Sequence, residues 1–144
     1  MAKRACKVKF KARLILYDRG RILLLKQRRQ NGGNYTLVGG TVESEEYARD
    51  SLIRETREEA NILISERDLA LVHVLHKRTK KGHRVNLYFK ASRYRGIIQN
   101  LEAHKFKAAQ WFPINRLPEN VTATVRQALN AYRAGQLYSE ERKR

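Results

Sequence analysis

Residues 39–62 read GGTVESEEYARDSLIRETREEANI, and their charge sets them apart from the rest of the chain. Seven of the fourteen Asp and Glu residues lie between Thr41 and Ile62 (Glu43, Glu45, Glu46, Asp50, Glu55, Glu58 and Glu59), against three arginines, inside a molecule of net charge +17. Ser44 is a favourable N-cap, Glu45 and Glu46 fall in a first turn where the helix dipole favours anions, and neither Pro nor Gly interrupts the run to Ala60. A helix of about four turns is expected. At 3.6 residues per turn, Leu52, Ile53, Thr56 and Ala60 share one side, while Glu55, Glu58 and Glu59 crowd another arc with the small residues Ala48 and Ser51.

An acidic helix face is commonly a solvated one, laced here by Arg54 to Glu58 at i,i+4. Like charges three and four residues apart cost roughly 0.2–0.5 kcal/mol per pair, however, and a chain with 31 Lys and Arg had cations to relieve them. A bound cation resolves the conflict. Carboxylates without His or Cys beside them are hard oxygen ligands, which favours Mg²⁺ or Mn²⁺ over zinc.

Gly40, five residues, Glu46, seven residues, then Arg54-Glu55-Thr56-Arg57-Glu58-Glu59-Ala60-Asn61-Ile62 resembles the Nudix hydrolase signature, Gly-x5-Glu-x7-Arg-Glu-U-x-Glu-Glu-x-Gly-U with U aliphatic. Seven of its nine specified positions match. Asn61 replaces the glycine, and Asn is the next best residue for the left-handed geometry of a helix C′ position. Thr56 replaces an aliphatic residue and is expected to loosen helix packing. The resemblance implies that Glu58 and Glu59 are metal ligands, that the Gly39 carbonyl is a third, and that Glu55 is a ligand or the base that takes a proton from water. It further implies that Arg54 orients Glu55 by a charge-assisted hydrogen bond, with Glu46 behind it. The implied reaction cuts a nucleoside diphosphate linked to some group X, which the signature does not name. A diphosphate repels nucleophiles, so its cleavage needs charge neutralisation and an aligned water, both of which a divalent ion supplies.

In 144 residues that are 42% hydrophobic, with two prolines, one domain spanning residues 1–144 is expected. One cysteine, Cys6, precludes an internal disulfide framework and fits a reducing cytoplasm. No apolar run has the length of a membrane span, and MAKRACKVKFKAR lacks the apolar core of a signal peptide. Cys6, Val8, Phe10, Ala12 and Leu14 instead alternate with Lys7, Lys9, Lys11 and Arg13, a strand pattern that continues through Leu16 and turns at Asp18-Arg19-Gly20 into a second strand, Ile22 to Leu25. Gln27 to Asn34 is either a flexible arm over an anionic substrate or an ordinary surface loop. Tyr35 to Val38 forms a short strand delivering Gly39-Gly40, where the backbone can approach a metal or phosphate.

After the helix, Ile62 to Ile64, Leu69 to Leu75, His83 to Phe89 and Gln110 to Phe112 have β character, with a turn at Lys80-Lys81-Gly82 and an irregular stretch from Arg93 to Lys107. Val121 to Ala134 forms a second helix with Gly135 ending it, and the tail SEERKR is expected to fray. Together these elements give an α/β fold, an α/β/α sandwich around a mixed β-sheet, the architecture that the resemblance also implies. It extends to Trp111-Phe112-Pro113 and Leu117-Pro118.

Glu102, the one carboxylate between Leu69 and Pro118, is a candidate further metal ligand, with a solvated loop acid as the alternative. His73, His76, His83 and His104 lack ligand spacing and read as structural or rim residues. Candidate substrate-pocket residues are Tyr35, Leu37, Asn86, Tyr88 and Phe112, where an amide or aromatic could meet a base, although all five could equally be core or rim. A compact chain suggests a nucleoside triphosphate or similar small nucleotide. Outside residues 41–62, 28 basic residues face 7 acidic ones, so nucleic acid is a second candidate partner, through an RNA 5′ end or a binding module whose acidic helix is vestigial. A homodimer stays open, and no membrane partner is expected.

Overall fold

In this computed structural model the described residues are 5–142, so Met1–Arg4 of the basic start and Lys143–Arg144 of the tail lie outside them. The alternating start forms β1 (Val8–Ile15), and after Leu16 the chain enters a different sheet as β2 (Tyr17–Asp18). Arg19 and Gly20, both at positive φ, turn it back into β3 (Arg21–Gln27). The expected hairpin thus joins β2 to β3, while β1 pairs elsewhere. There follow β4 (Tyr35–Thr36), β5 (Gly39–Thr41), α1 (Ala48–Ala60), β6 (Leu69–Thr79), β7 (Gly82–Ala91), β8 (Phe106–Pro113), α2 (Ala123–Arg133) and β9 (Tyr138–Glu141).

A mixed five-stranded sheet runs in the order β5-β1-β7-β6-β9, with β1 parallel to β7 and β9 parallel to β6. A smaller antiparallel sheet gathers β2, β4 and β8 around β3. Because successive strand residues face opposite ways, β1 supplies both cores. Ala12 and Leu14 pack with Leu52, Ala60 and Phe89 on the α1 side, and Ile15 packs with Leu75, Tyr88, Val125 and Leu129 on the α2 side. The expected mixed sheet between two helices is therefore present, and the second sheet is an addition to it. Among the described residues no helix is long and apolar enough to cross a membrane.

Three local expectations are corrected. Ser44 does not cap α1, which starts at Ala48 after Tyr47 with no side-chain cap. Glu43–Glu46 form a separate turn, with the Glu46 amide donating to the Glu43 carbonyl at 3.0 Å, because Arg54 holds the Glu46 carboxylate at 2.8 and 3.0 Å. The second helix is capped by Thr122, whose hydroxyl accepts from Val125 N at 3.2 Å, and Val121 lies beside Tyr35 instead. The tail is not frayed over Tyr138–Glu141, which pairs with Val74–Lys77 as β9. There His73, fully buried, is held at Nδ1 by the Gln136 carbonyl and at Nε2 by the Ser139 hydroxyl, both at 2.8 Å.

Thr56 does not loosen the helix either. It is completely buried, and its hydroxyl donates to the Ile53 carbonyl at 3.1 Å with the Ile62 carbonyl at 3.4 Å, so the polar group is satisfied within its own turn. Asn61 adopts the left-handed conformation expected of it, φ 58° and ψ 34°, and its side chain adds a bond to the Ile97 carbonyl at 3.0 Å. Asn61→Gly keeps the geometry and loses that bond, at about 1 kcal/mol. Asn61→Val adds the cost of a β-branched residue at positive φ, about 1–2 kcal/mol more. Chemical denaturation should rank the native protein above Gly and Gly above Val. A valine variant as stable as the glycine one would reject the assignment.

Candidate active site

Arg54 is the hub of the acidic helix. Its Nε and Nη2 grip Glu46 at 2.8 and 3.0 Å, and its Nη1 donates to Glu55 and to Glu58, each at 3.2 Å. One guanidinium thus fixes three carboxylates, using the planar fork that lysine lacks. The hydrogen bond from Arg54 drives the Glu46 pKa down to about 2, and Glu46 raises that of Arg54 in turn. The i,i+4 pair with Glu58 is therefore real, and it is one arm of a larger arrangement.

Glu59 is arranged differently. It is 3% exposed, and its Oε1 accepts from the Gly39 amide at 2.9 Å. Burial first, then the charges of Glu55 and Glu102, push its pKa up to about 7 against the pull of the Gly39 amide and Arg13. The carbonyl of the same residue meets a cation, since Arg13 Nη1 donates to the Gly39 carbonyl at 3.0 Å and to that of Leu37 at 3.1 Å. Gly39 packs so tightly on β1 that an added Cβ would sit 2.1 Å from the Ala12 carbonyl oxygen. At Gly40 an added Cβ would meet Glu55 Oε1 at 2.8 Å. The glycine pair thus lets β5 lie against β1 on one side and Glu55 on the other.

The irregular stretch before β8 brings Glu102 to this place. The amides of Gln99 and Leu101 donate to the carbonyls of Ala60 and Glu59, both at 3.0 Å, capping the end of α1. Glu102 lies close enough to add its charge to Glu59, and its own carboxylate meets Lys105 at 3.1 Å. Arg28 donates to the Lys105 carbonyl at 2.8 Å through its amide and to that of Ala103 through its side chain, so the 27–34 loop docks on this stretch.

The five candidate pocket residues lie in and around the core under α2. Leu37 and Tyr88 are buried in the core under α2, the core alternative that their residue types left open. Tyr35 and Phe112 form an edge-to-face pair at 4.9 Å on the margin of that core, with Tyr35 OH on Gln110. Asn86 is buried, donating to Tyr88 OH at 3.4 Å. His76 and His83 stack with nitrogens 2.7 Å apart, and Cys6 is a free, exposed thiol. Arg13 was hidden from sequence reasoning because alternation makes it look like any cation on a strand's wet face.

A family model for the NUDIX domain matches residues 9–132. The chain belongs to the Nudix family. An ADP-ribose pyrophosphatase from Methanocaldococcus jannaschii is 27% identical over 106 residues, which are 73% of this Nudix chain and 62% of that protein. The chain thus spans about six-tenths of the length of this curated relative. A MutT NUDIX hydrolase from Burkholderia pseudomallei has 27% identity and a TM-score of 0.78 over 86% of this chain and 97% of its own. A MutT protein from Methanosarcina mazei Go1, at 15% identity, shares the Nudix fold with a TM-score of 0.77 over 92% of this chain and 97% of its own.

Proposed function

We propose that this Nudix protein is a hydrolase dependent on Mg²⁺ or Mn²⁺ that cuts the phosphoric anhydride of a nucleoside diphosphate linked to a further group, with a nucleoside triphosphate or similar small nucleotide as substrate. The observation that carries it is Glu59, a carboxylate buried on the Gly39 amide beside Glu55 in a strongly basic protein. Such a charge is costly unless a cation shares it.

The donor chemistry fits a hard divalent ion. Glu55, Glu58, Glu59 and the Gly39 carbonyl offer only oxygens, Glu102 stands near, and a carbonyl that accepts from Arg13 keeps a second lone pair. Among the described residues no three acidic, histidine or cysteine side chains already converge on one point. Glu58, 46% exposed in its side chain, would leave its bond to Arg54 to join the others. When bound, the ion neutralises the phosphates and lowers the pKa of an attacking water. Glu55, held by Arg54, would receive that water's proton, and Glu46 would keep Arg54 in place. The curated relative's name adds ADP-ribose to the candidates, and nucleotide chemistry together with a free thiol suits a cytoplasmic setting.

A panel of canonical and oxidised (d)NTPs, ADP-ribose and dinucleoside polyphosphates, assayed with Mg²⁺ and with Mn²⁺, tests this reading. Metal-dependent release of a mononucleotide from at least one of them is expected. No turnover of any phosphoric anhydride with either metal would overturn it.

A further inference from the structure

The face of the mixed sheet that carries α2 holds a row of five cations, of which Arg13 and Lys77 also make bonds within the fold. Lys9, Arg84 and Lys77 stand directly opposite one another on β1, β7 and β6, beside the start of α2, where Lys77 Nζ lies 3.1 Å from Thr124 Oγ1. Lys11 and Arg13 follow on β1 at alternate positions, on the same face. Like charges directly opposite each other destabilise a sheet. Among the described residues the only carboxylate paired with any of the five is Glu141, 4.0 Å from Lys77. Lys11 is half-buried, and burial, followed by Arg13, Arg84, Lys9 and Lys77, lowers its pKa to about 8. Opposite Lys11, Asn86 is 5% exposed with an Oδ1 that has no partner. An arrangement that costs stability and leaves a buried polar atom unmet is what an absent ligand would leave behind.

Size and shape narrow the ligand. Past Lys9 and Arg84 the row opens into a cleft of about 1200 Å³ at the β6–β7 hairpin, lined also by Lys7, Arg78, Lys80 and Lys81. From β1 to β6 is two strand spacings, roughly 10 Å, the width of one chain rather than a duplex. Arg13, Lys11 and Lys9 recur every roughly 7 Å along β1, so they meet a ligand that repeats its charge. At the other end Arg13 touches the Gly39 carbonyl, which joins the row to the acidic site.

We propose that this row binds the phosphodiester backbone of a single-stranded nucleic acid, laid along β1 with its 5′ end toward Gly39. The direction of the chain rests on the hydrolase reading, whereas the binding does not.

The test is fluorescence anisotropy with a labelled ten-nucleotide single-stranded RNA, with metal chelated so that no hydrolysis enters, across a range of salt. The expected slope of log affinity against log salt is about −2 or steeper, which is three or more phosphates at roughly −0.7 each. Lys9→Gln with Arg84→Gln should make it shallower by about 1.4, and melting should show this variant at least as stable as the native protein, because a repulsion has gone. If that variant fails to fold, Lys11→Gln reads the same loss at about 0.7. A native slope shallower than about −2, an unchanged slope in the variants, or a duplex binding with an equal slope would overturn the proposal. So would tripolyphosphate displacing the RNA at equal concentration, since the row would then be a small-anion pocket. Binding that persists in a protein inert toward every nucleotide would count against the hydrolase reading alone.

Discussion

Glu59→Gln should slow metal-dependent turnover by at least about a hundredfold, the scale on which loss of a catalytic electrostatic group is felt, and yet raise the melting temperature of the metal-free protein. The two effects share one cause. The carboxyl has a pKa near 7 in the folded protein against an ordinary value of 4.5. Below about pH 4.5 both folded and unfolded chains hold the proton, and the group costs nothing. Between about pH 4.5 and 7 the unfolded chain releases its proton first, so stability falls as pH rises, and above pH 7 the full cost of about 3 kcal/mol is present. The glutamine keeps the shape and the acceptor for Gly39 without the charge. At pH 8 it should melt higher, by roughly 2–4 °C for each kcal/mol recovered, and the difference should vanish near pH 4. Mg²⁺ should stabilise the native protein and leave the variant little changed. Unaltered turnover would remove Glu59 from the site, and equal melting at pH 8 would show that its charge is not confined as described.

Gly39→Ala should fail to give a stably folded protein, a loss on the order of 4 kcal/mol or more. Its φ of +137° is one that side-chain-bearing residues rarely adopt, and the new Cβ would lie 2.1 Å from the Ala12 carbonyl oxygen and 3.0 Å from Arg13 Cα. All of these are backbone atoms of β1, with no flexible side chain to yield. Gly40→Ala provides the contrast, because its clash is with the Glu55 carboxylate, the end of a movable side chain. That variant should fold and lose activity as Glu55 is pushed away from Arg54. Denaturant titration of the two variants separates the cases, and a Gly39→Ala protein of native stability would mean that β5 does not lie on β1 as found here.

The helix with its acidic arc was legible in the sequence because every signal for it is local: a 3.6-residue period, an uninterrupted run, and an asparagine where the chain must turn left-handed. Where α1 begins was not. Ser44 looks like a cap to its neighbours, but Arg54, a residue on the helix itself, pulls Glu46 into a separate turn. The β9 strand was equally hidden, since Tyr138–Glu141 shows no alternation and becomes a strand only because β6 offers an edge. Period also says nothing about which face is covered. The pattern therefore left Leu37 and Tyr88 open between pocket and core, and the packing under α2 puts them in the core, while Lys11 on the same face of the sheet is half-buried.

The seat of His73 gives the molecule a built-in spectroscopic reporter. A carbonyl at Nδ1 can only accept, so the ring carries a proton there, while at Nε2 it meets the Ser139 hydroxyl, which also accepts from Gln127 Nε2 at 3.2 Å. The imidazole, buried with no exposure at all, thus keeps its Nδ1 proton on the Gln136 carbonyl for as long as β9 is docked. Its Nδ1–H is a proton sealed from water, visible as a discrete resonance and exchanging only when the strand lifts. Watching that one proton therefore times the opening of the sheet's far edge without altering any residue of the two proposed sites.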